Sequence, residues 1–171
     1  AEGVTPRRGD VGLPTELLGA MKLTGQTSHL RYGIFGVVED DVEWQGDNAN
    51  GQDTSIKEDG RDFGIVRLSY EKPAGDRFAI GYLGTNIAGP VYEATVLGID
   101  MHYAQQGGQW SSDLQLIRSD VDGEFGNGAM LDLDYSPSAR VQHHLRLDYF
   151  DSEVDFNDLG FLQRNDVLCL Q

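Results

Sequence analysis

Along most of this chain single apolar and polar residues alternate, which is the period-2 pattern of strands with two unlike faces. In residues 64–71, Val66, Leu68 and Tyr70 share one face and Arg67, Ser69 and Glu71 the other. In 129–135, Ala129, Leu131, Leu133 and Tyr135 oppose Asp132 and Asp134. In 141–149, Val141, His143, Leu145, Leu147 and Tyr149 oppose His144, Arg146 and Asp148. A helix would mix these faces. The pattern predicts eight strands, at about residues 17–24, 29–38, 63–71, 77–84, 91–104, 109–118, 128–135 and 140–150. Tight turns at 25–28, 72–76, 105–108 and 136–139 join them in pairs, and the connections 39–62, 85–90 and 119–127 lie between the pairs.

Short turns at one rim and long connections at the other are how a membrane-spanning barrel is wired. The expected fold is therefore all-β, an antiparallel up-and-down transmembrane β-barrel or a section of one, as a single domain over residues 1–171. A soluble barrel or sandwich accepts the same strands but turns the apolar face inward. Aromatic placement favours the membrane form. Tyr70, Phe78, Tyr103, Trp110 and Tyr135 flank the short turns on the apolar face, as in an aromatic girdle where hydrocarbon meets headgroups. On this reading Val66, Leu68, Leu131, Leu133, Leu145 and Leu147 face lipid. Lys22, Arg67, Asp100, Asp113, Asp132, Asp134, Arg146 and Asp148 line the lumen, as a pore surface in a wide barrel or as paired filling in a narrow one.

Charge narrows the partners. The 171 residues carry 13 Lys+Arg against 28 Asp+Glu, a net charge of −15. Nucleic-acid binding needs basic side chains that displace counterions, and a basic patch is needed to dock on anionic lipid, so neither is expected. Nine acids fall in 39–62, three in 119–127 and five in 151–166, so the charge sits mostly in connections. Gly accounts for 22 residues, some inside strands, where glycine marks bends or close backbone approach. No apolar run approaches the ~18 residues of a helical span. The lone Cys169 excludes an intrachain disulfide and is expected to be a small buried apolar residue. No secretory leader is visible at Ala1, so the expectation is a removed leader or a start inside a larger protein.

Several short motifs carry a resemblance. They are Arg7-Arg8-Gly9-Asp10, then Leu18-Gly19-Ala20-Met21-Lys22-Leu23-Thr24-Gly25, Gly60-Arg61-Asp62-Phe63 leading into Val66-Arg67-Leu68, Gly81-Tyr82-Leu83-Gly84-Thr85-Asn86 and Gly98-Ile99-Asp100. The most specific is Asp155-Phe156-Asn157-Asp158-Leu159-Gly160-Phe161-Leu162-Gln163-Arg164. Together they resemble an uncharacterised bacterial family of outer-membrane β-barrels whose barrel usually follows a carbohydrate-binding-family-nine-like domain. The matching family segments are a double arginine, "GAKLTG" and "DFNPDLGFVPR". Asp158 and Gln163 stand where the family has prolines, which loosens both corners. The resemblance spans about residues 7–166 and implies an outer-membrane location, no established reaction, and a chain that is the middle section of a larger barrel. Its first and eighth strands then expect further partners rather than each other, because unpaired edges cannot sit in hydrocarbon.

The remaining chemistry is sparse. His102, His143 and His144 hint at a metal site, but His143 and His144 point to opposite faces of a strand and cannot share one ligand set, and no HExxH-like spacing exists, so no transition-metal site is expected. Residues 123–128 have the glycines of a phosphate loop but read as a plain loop before a strand. Asp47, Asp53, Asp120 and Asp122 offer oxygens to Ca²⁺ without EF-hand order, so they are weak candidates. No cofactor and no catalytic triplet emerges. The expected role is a surface channel or scaffold in the bacterial outer membrane. Its partners would be outer-membrane lipid and other envelope proteins or surface carbohydrate. The alternatives are a pore-free binding or assembly module, and a soluble β-barrel or sandwich that binds a ligand or carbohydrate.

Overall fold

The computed structural model describes residues 5–6, 16–47, 51–72, 74–156 and 165–171. Among them every regular element is a strand: β1 Thr5–Pro6, β2 Leu17–Gln26, β3 Leu30–Glu39, β4 Val42–Asp47, β5 Asp53–Glu58, β6 Asp62–Lys72, β7 Arg77–Ala88, β8 Glu93–Ala104, β9 Trp110–Val121, β10 Glu124–Ser138, β11 Val141–Phe150 and β12 Val167–Leu170. Nine form one antiparallel sheet in the order β12-β11-β10-β9-β8-β7-β6-β3-β2, and β1, β4 and β5 form a second. The large sheet is a meander, so successive turns alternate between two rims. The turns at 25–28, 72–76, 105–108 and 136–139 share one rim, where Asp76 Oδ1 accepts the Gln106 N–H at 2.8 Å across two neighbouring turns.

The eight expected strands are present, but the other rim differs from expectation. The sequence predicts a long loop at 119–127, whereas β9 and β10 run on and meet in a two-residue turn, Asp122-Gly123. Both turn residues have positive φ, 51° and 87°, the conformation of a type I′ hairpin that Asp-Gly favours. The connection at 85–90 likewise shrinks, since β7 continues to Ala88 and Gly89 N–H closes a turn onto Tyr92 O at 3.0 Å.

The acidic stretch 39–62 is a loop only at its ends; its middle is the β4–β5 hairpin, with Trp44 opposite Ile56 and Glu43 opposite Lys57. Its base is fastened by Glu39 N–H to Arg61 O at 3.0 Å, by Lys57 Nζ to Asp41 Oδ2 at 2.7 Å, and by Gly60 N–H to Asp41 Oδ1 at 3.2 Å. The ammonium and the amide hold the Asp41 carboxyl below its ordinary range. Because the folded value is depressed, this fastening persists above the ordinary carboxylate range and is lost only as pH falls through the lower folded value.

The sheet is open. Among the described residues β2 pairs only with β3, so residues 17–24 do not close onto 140–150; β11 instead gains β12, which the alternation alone does not reveal. Cys169 lies in β12 and is partly exposed rather than buried. The double arginine and the corner at 157–164 lie outside the described residues.

Partners in an antiparallel ladder carry their side chains on the same face, so the register assigns faces directly. One row runs Leu30, Tyr70, Ile80, Met101, Leu114, Leu131, Leu147 and Leu170 across eight strands. Among the described residues this face is apolar and uncovered. Met21, Leu23, Tyr82, Ile99, Leu116 and Tyr149 on it are all exposed, and the buried hydrophobics among the described residues are Ile87, Ala94 and Val154. Among the described residues no conventional core forms on this side of the sheet.

The apolar window also slides from strand to strand. In β3 it runs from Leu30 to Val38, centred on Ile34, and in β11 from Val141 to Tyr149, centred on Leu145. Ile34 pairs with Val66, and that row continues through Gly84, Leu97, Arg118 and Asn127 to lie abreast of Asp151. Leu145 precedes Asp151 by six residues, and β3 and β11 are six strand steps apart. The band therefore crosses the hydrogen-bonded rows obliquely.

Candidate functional site

The opposite face carries the charge. Register places Lys22, Arg67, Asp100, Asp113, Asp132, Asp134, Arg146 and Asp148 all on it, and Tyr70, Phe78, Tyr103, Trp110 and Tyr135 all on the apolar face. The aromatics gather toward the short-turn rim, where Trp110 and Tyr135 stack at 4.3 Å and Tyr135 lies 6.1 Å from the His143 ring.

Seven of the eight charged residues converge on the half of the sheet nearest the short turns. One row there reads Glu71, Ala79, His102, Asp113, Asp132 and Arg146. Lys22 stands apart, in a row with Phe35, Ile65, Thr85, Val96 and Ser119. The face thus changes along the strands from charged to apolar.

Within the charged half, Arg67 of β6 reaches over β7 to grip Asp100 of β8 with both terminal guanidinium nitrogens, Nη1 on Oδ1 and Nη2 on Oδ2 at 3.0 Å. The path crosses Gly81, where an added Cβ would lie 2.5 Å from both Arg67 Nη2 and Asp100 Oδ2. Gly81 is the gap that lets the pair span a strand. Gly81→Ala should therefore displace flexible side-chain ends rather than backbone, costing about 1 kcal/mol or less because the pair is half-exposed. A double-mutant cycle with Asp100→Asn should show strong non-additivity, and additive losses would contradict this role for the glycine.

Both histidines that alternation puts on this face are bound to carboxylates. His102 Nδ1 lies 2.6 Å from Asp113 Oδ1 and His144 Nδ1 lies 2.9 Å from Asp134 Oδ1. A carboxylate only accepts, so Nδ1 carries the proton in each. His144 Nε2 is also 3.7 Å from Asp132 Oδ1, and Arg146 Nε donates to Asp148 Oδ2 at 2.9 Å. Glu71 and His144, which alternation had already put on this face, join the cluster, as do His102 and Arg31, the latter in a 3.3 Å pair with Glu71. The same period-2 spacing was the signal that could have added His102 and Arg31.

The weak Ca²⁺ candidates do not assemble. Asp120 Oδ1 accepts the Gly123 N–H at 3.2 Å and Asp122 Oδ1 the Glu93 N–H at 2.9 Å, so both shape the β9–β10 turn. Asp47 and Asp53 face each other at the far end of the small hairpin, and residues 48–50 between them lie outside the described residues. Among the described residues no three acidic, histidine or cysteine side chains converge as a metal site.

Part of the apolar half of this face is covered, while Phe35 and Leu83 on it stay exposed. Residues 151–156 leave β11 and cross it as a strap: Val154 is fully buried, and the Asp155 N–H donates to the fully buried Ser119 Oγ at 3.0 Å. Gly126, directly opposite Ser119, touches the Val154 backbone. Residues 123–128, expected to be a loop, are a turn followed by strand, and their glycines make room for this strap and for the Phe150 ring. No family model, curated protein or solved structure matches the chain.

Proposed function

We propose that this chain is part of the wall of a bacterial outer-membrane β-barrel, its charged face lining an aqueous lumen, and that it acts as a surface channel. The oblique apolar band carries the reading. A slide of one residue per strand, at about 3.4 Å per residue against about 4.8 Å between strands, corresponds to a tilt of roughly 35°. Strands of outer-membrane barrels tilt by about 35–45°, so a level hydrocarbon slab would wet the sheet along such a band. A soluble sandwich would need a second sheet over this face, and none of the described elements lies there. The resemblance to the outer-membrane family points the same way, and the open edges at β2 and β12 are where further strands of the wall would pair.

Carboxylates outnumber basic groups in the charged half, so the lumen should favour cations. The protein should fractionate with outer membranes, need detergent for solubility, and give ion-conducting steps in a planar bilayer. Replacing Asp113 and Asp132 by Asn should lower the cation-to-anion permeability ratio by roughly twofold while leaving the apolar face intact. A monodisperse, detergent-free protein that never inserts into lipid would refute the membrane reading. Insertion without conductance would leave a scaffold.

A further inference from the structure

A cleft of about 510 Å³ opens at the long-connection rim, between the β4–β5 hairpin and the turn joining β7 to β8. Alternation builds its hairpin wall. Val42 pairs with Glu58 and Trp44 with Ile56, so Val42, Trp44 and Glu58 share the face that lines the cleft, while the paired Glu43 and Lys57 occupy the other face. Pro90, Val91 and Tyr92 come from the facing turn, with Val91 87% exposed, and Glu39, Asp59 and Arg61 complete the lining.

The charges here are unbalanced. Arg61 is already engaged by Glu39, Nε to Oε2 at 3.3 Å, and lies 5.3 Å from the centre of the Phe63 ring. Lys57 is held by Asp41. Among the described residues neither the Glu58 nor the Asp59 carboxylate has a hydrogen-bond or ion-pair partner, although the Asp59 charge acts on the Lys57 ammonium from a distance. The Glu58 carboxylate, with Asp59 next to it, thus stands unpaired beside an indole and an aliphatic wall.

We propose that this cleft binds an organic cation, an ammonium or guanidinium on an apolar stem, carried either by a small molecule or by a basic side chain of a peptide. The carboxylates would take the charge, and Trp44 would offer an aromatic face that attracts cations. Val42 and Val91 would cover the stem. The volume lies in the ligand-cleft range of about 300–1,000 Å³. An inorganic cation would leave the apolar wall unused, and a neutral ligand would desolvate the carboxylates without pairing them. The cleft is a rim feature, so the proposal stands whether or not the barrel conducts.

The test titrates the folded protein in detergent with n-butylguanidinium and with the amidated peptide Ala-Arg-Ala-Ala, by calorimetry and by Trp44 fluorescence. Trp44→Phe keeps an aromatic ring and assigns the optical signal. Saturable binding is expected, weaker by about tenfold for neutral n-butylurea and by about tenfold in the Glu58→Gln, Asp59→Asn double variant, which preserves side-chain shape. Added salt should weaken it further. Saturation by both cations shows that the charged group suffices, and saturation by the peptide alone identifies a peptide source; either supports the proposal. Equal binding of butylurea, an unaffected double variant, no saturation by either cation up to about 10 mM, or a neutral disaccharide binding in their place would each overturn it.

Discussion

On the proposed membrane reading, arginine introduced at Leu131 should destabilise the protein in lipid by about 2–4 kcal/mol, whereas arginine at Leu30 should cost about 0–1 kcal/mol. The two residues sit in one hydrogen-bonded row of the sheet, so their lateral environments are alike. Their places in the oblique band differ. Leu131 lies near the middle of the β10 window that runs from Ala129 to Tyr135, while Leu30 is the first residue of the β3 window. If strands tilt through hydrocarbon, the first position is near mid-depth and the second near a headgroup layer, where a long basic side chain reaches water. Leu133, the other residue near the β10 midpoint, should behave like Leu131. Folding equilibria in lipid vesicles with increasing denaturant measure all three. Equal costs at Leu30 and Leu131 would mean that the row, not the band, follows the membrane plane.

Gly126→Val should detach the strap from the sheet without unfolding the strands beneath it. Any side chain there meets the backbone of Val154 and Glu153, which cannot yield as a flexible side chain can. Lifting the strap exposes Val154, worth about 1.5–3 kcal/mol of burial. It also breaks the Asp155–Ser119 hydrogen bond, worth about 1 kcal/mol. The direct readout is chemical. With Cys169 replaced by Ser, a thiol placed by Ser119→Cys should resist a water-soluble thiol reagent in the parent and react in the Gly126→Val background. Equal protection in both would show that the strap stays put. In a conducting protein the detached strap should also raise single-channel conductance, since it crosses the face assigned to the lumen.

The strands were legible because their chemistry is local. Period-2 alternation around Arg67, Asp132 and Arg146 marked the eight expected strands and put the eight charged residues of the Lys22–Asp148 set on one shared face, since pairing through tight turns preserves the alternation from strand to strand. Other features were hidden for identifiable reasons. The β4–β5 hairpin is crowded with acids, and only Val42, Trp44 and Ile56 betray its apolar face. The Asp122-Gly123 turn carries a strong hairpin signal, but Gly126, Asn127 and Gly128 just beyond it made the region read as one long loop. The strap could not be read at all. Its partners Ser119 and Gly126 are distant in sequence from Val154, and no local pattern announces a tertiary contact of that kind.

The fastening at the foot of the rim hairpin makes that hairpin an exchangeable cassette. The Glu39–Arg61 backbone bond already closes the chain below it, and β3 pairs with β6 along its full length without help from residues 42–58. Excising the hairpin for a short linker shortens a loop whose closure entropy changes only slowly with length. The nine-stranded sheet should therefore tolerate foreign segments at this position, making it a site where peptides could be grafted for display.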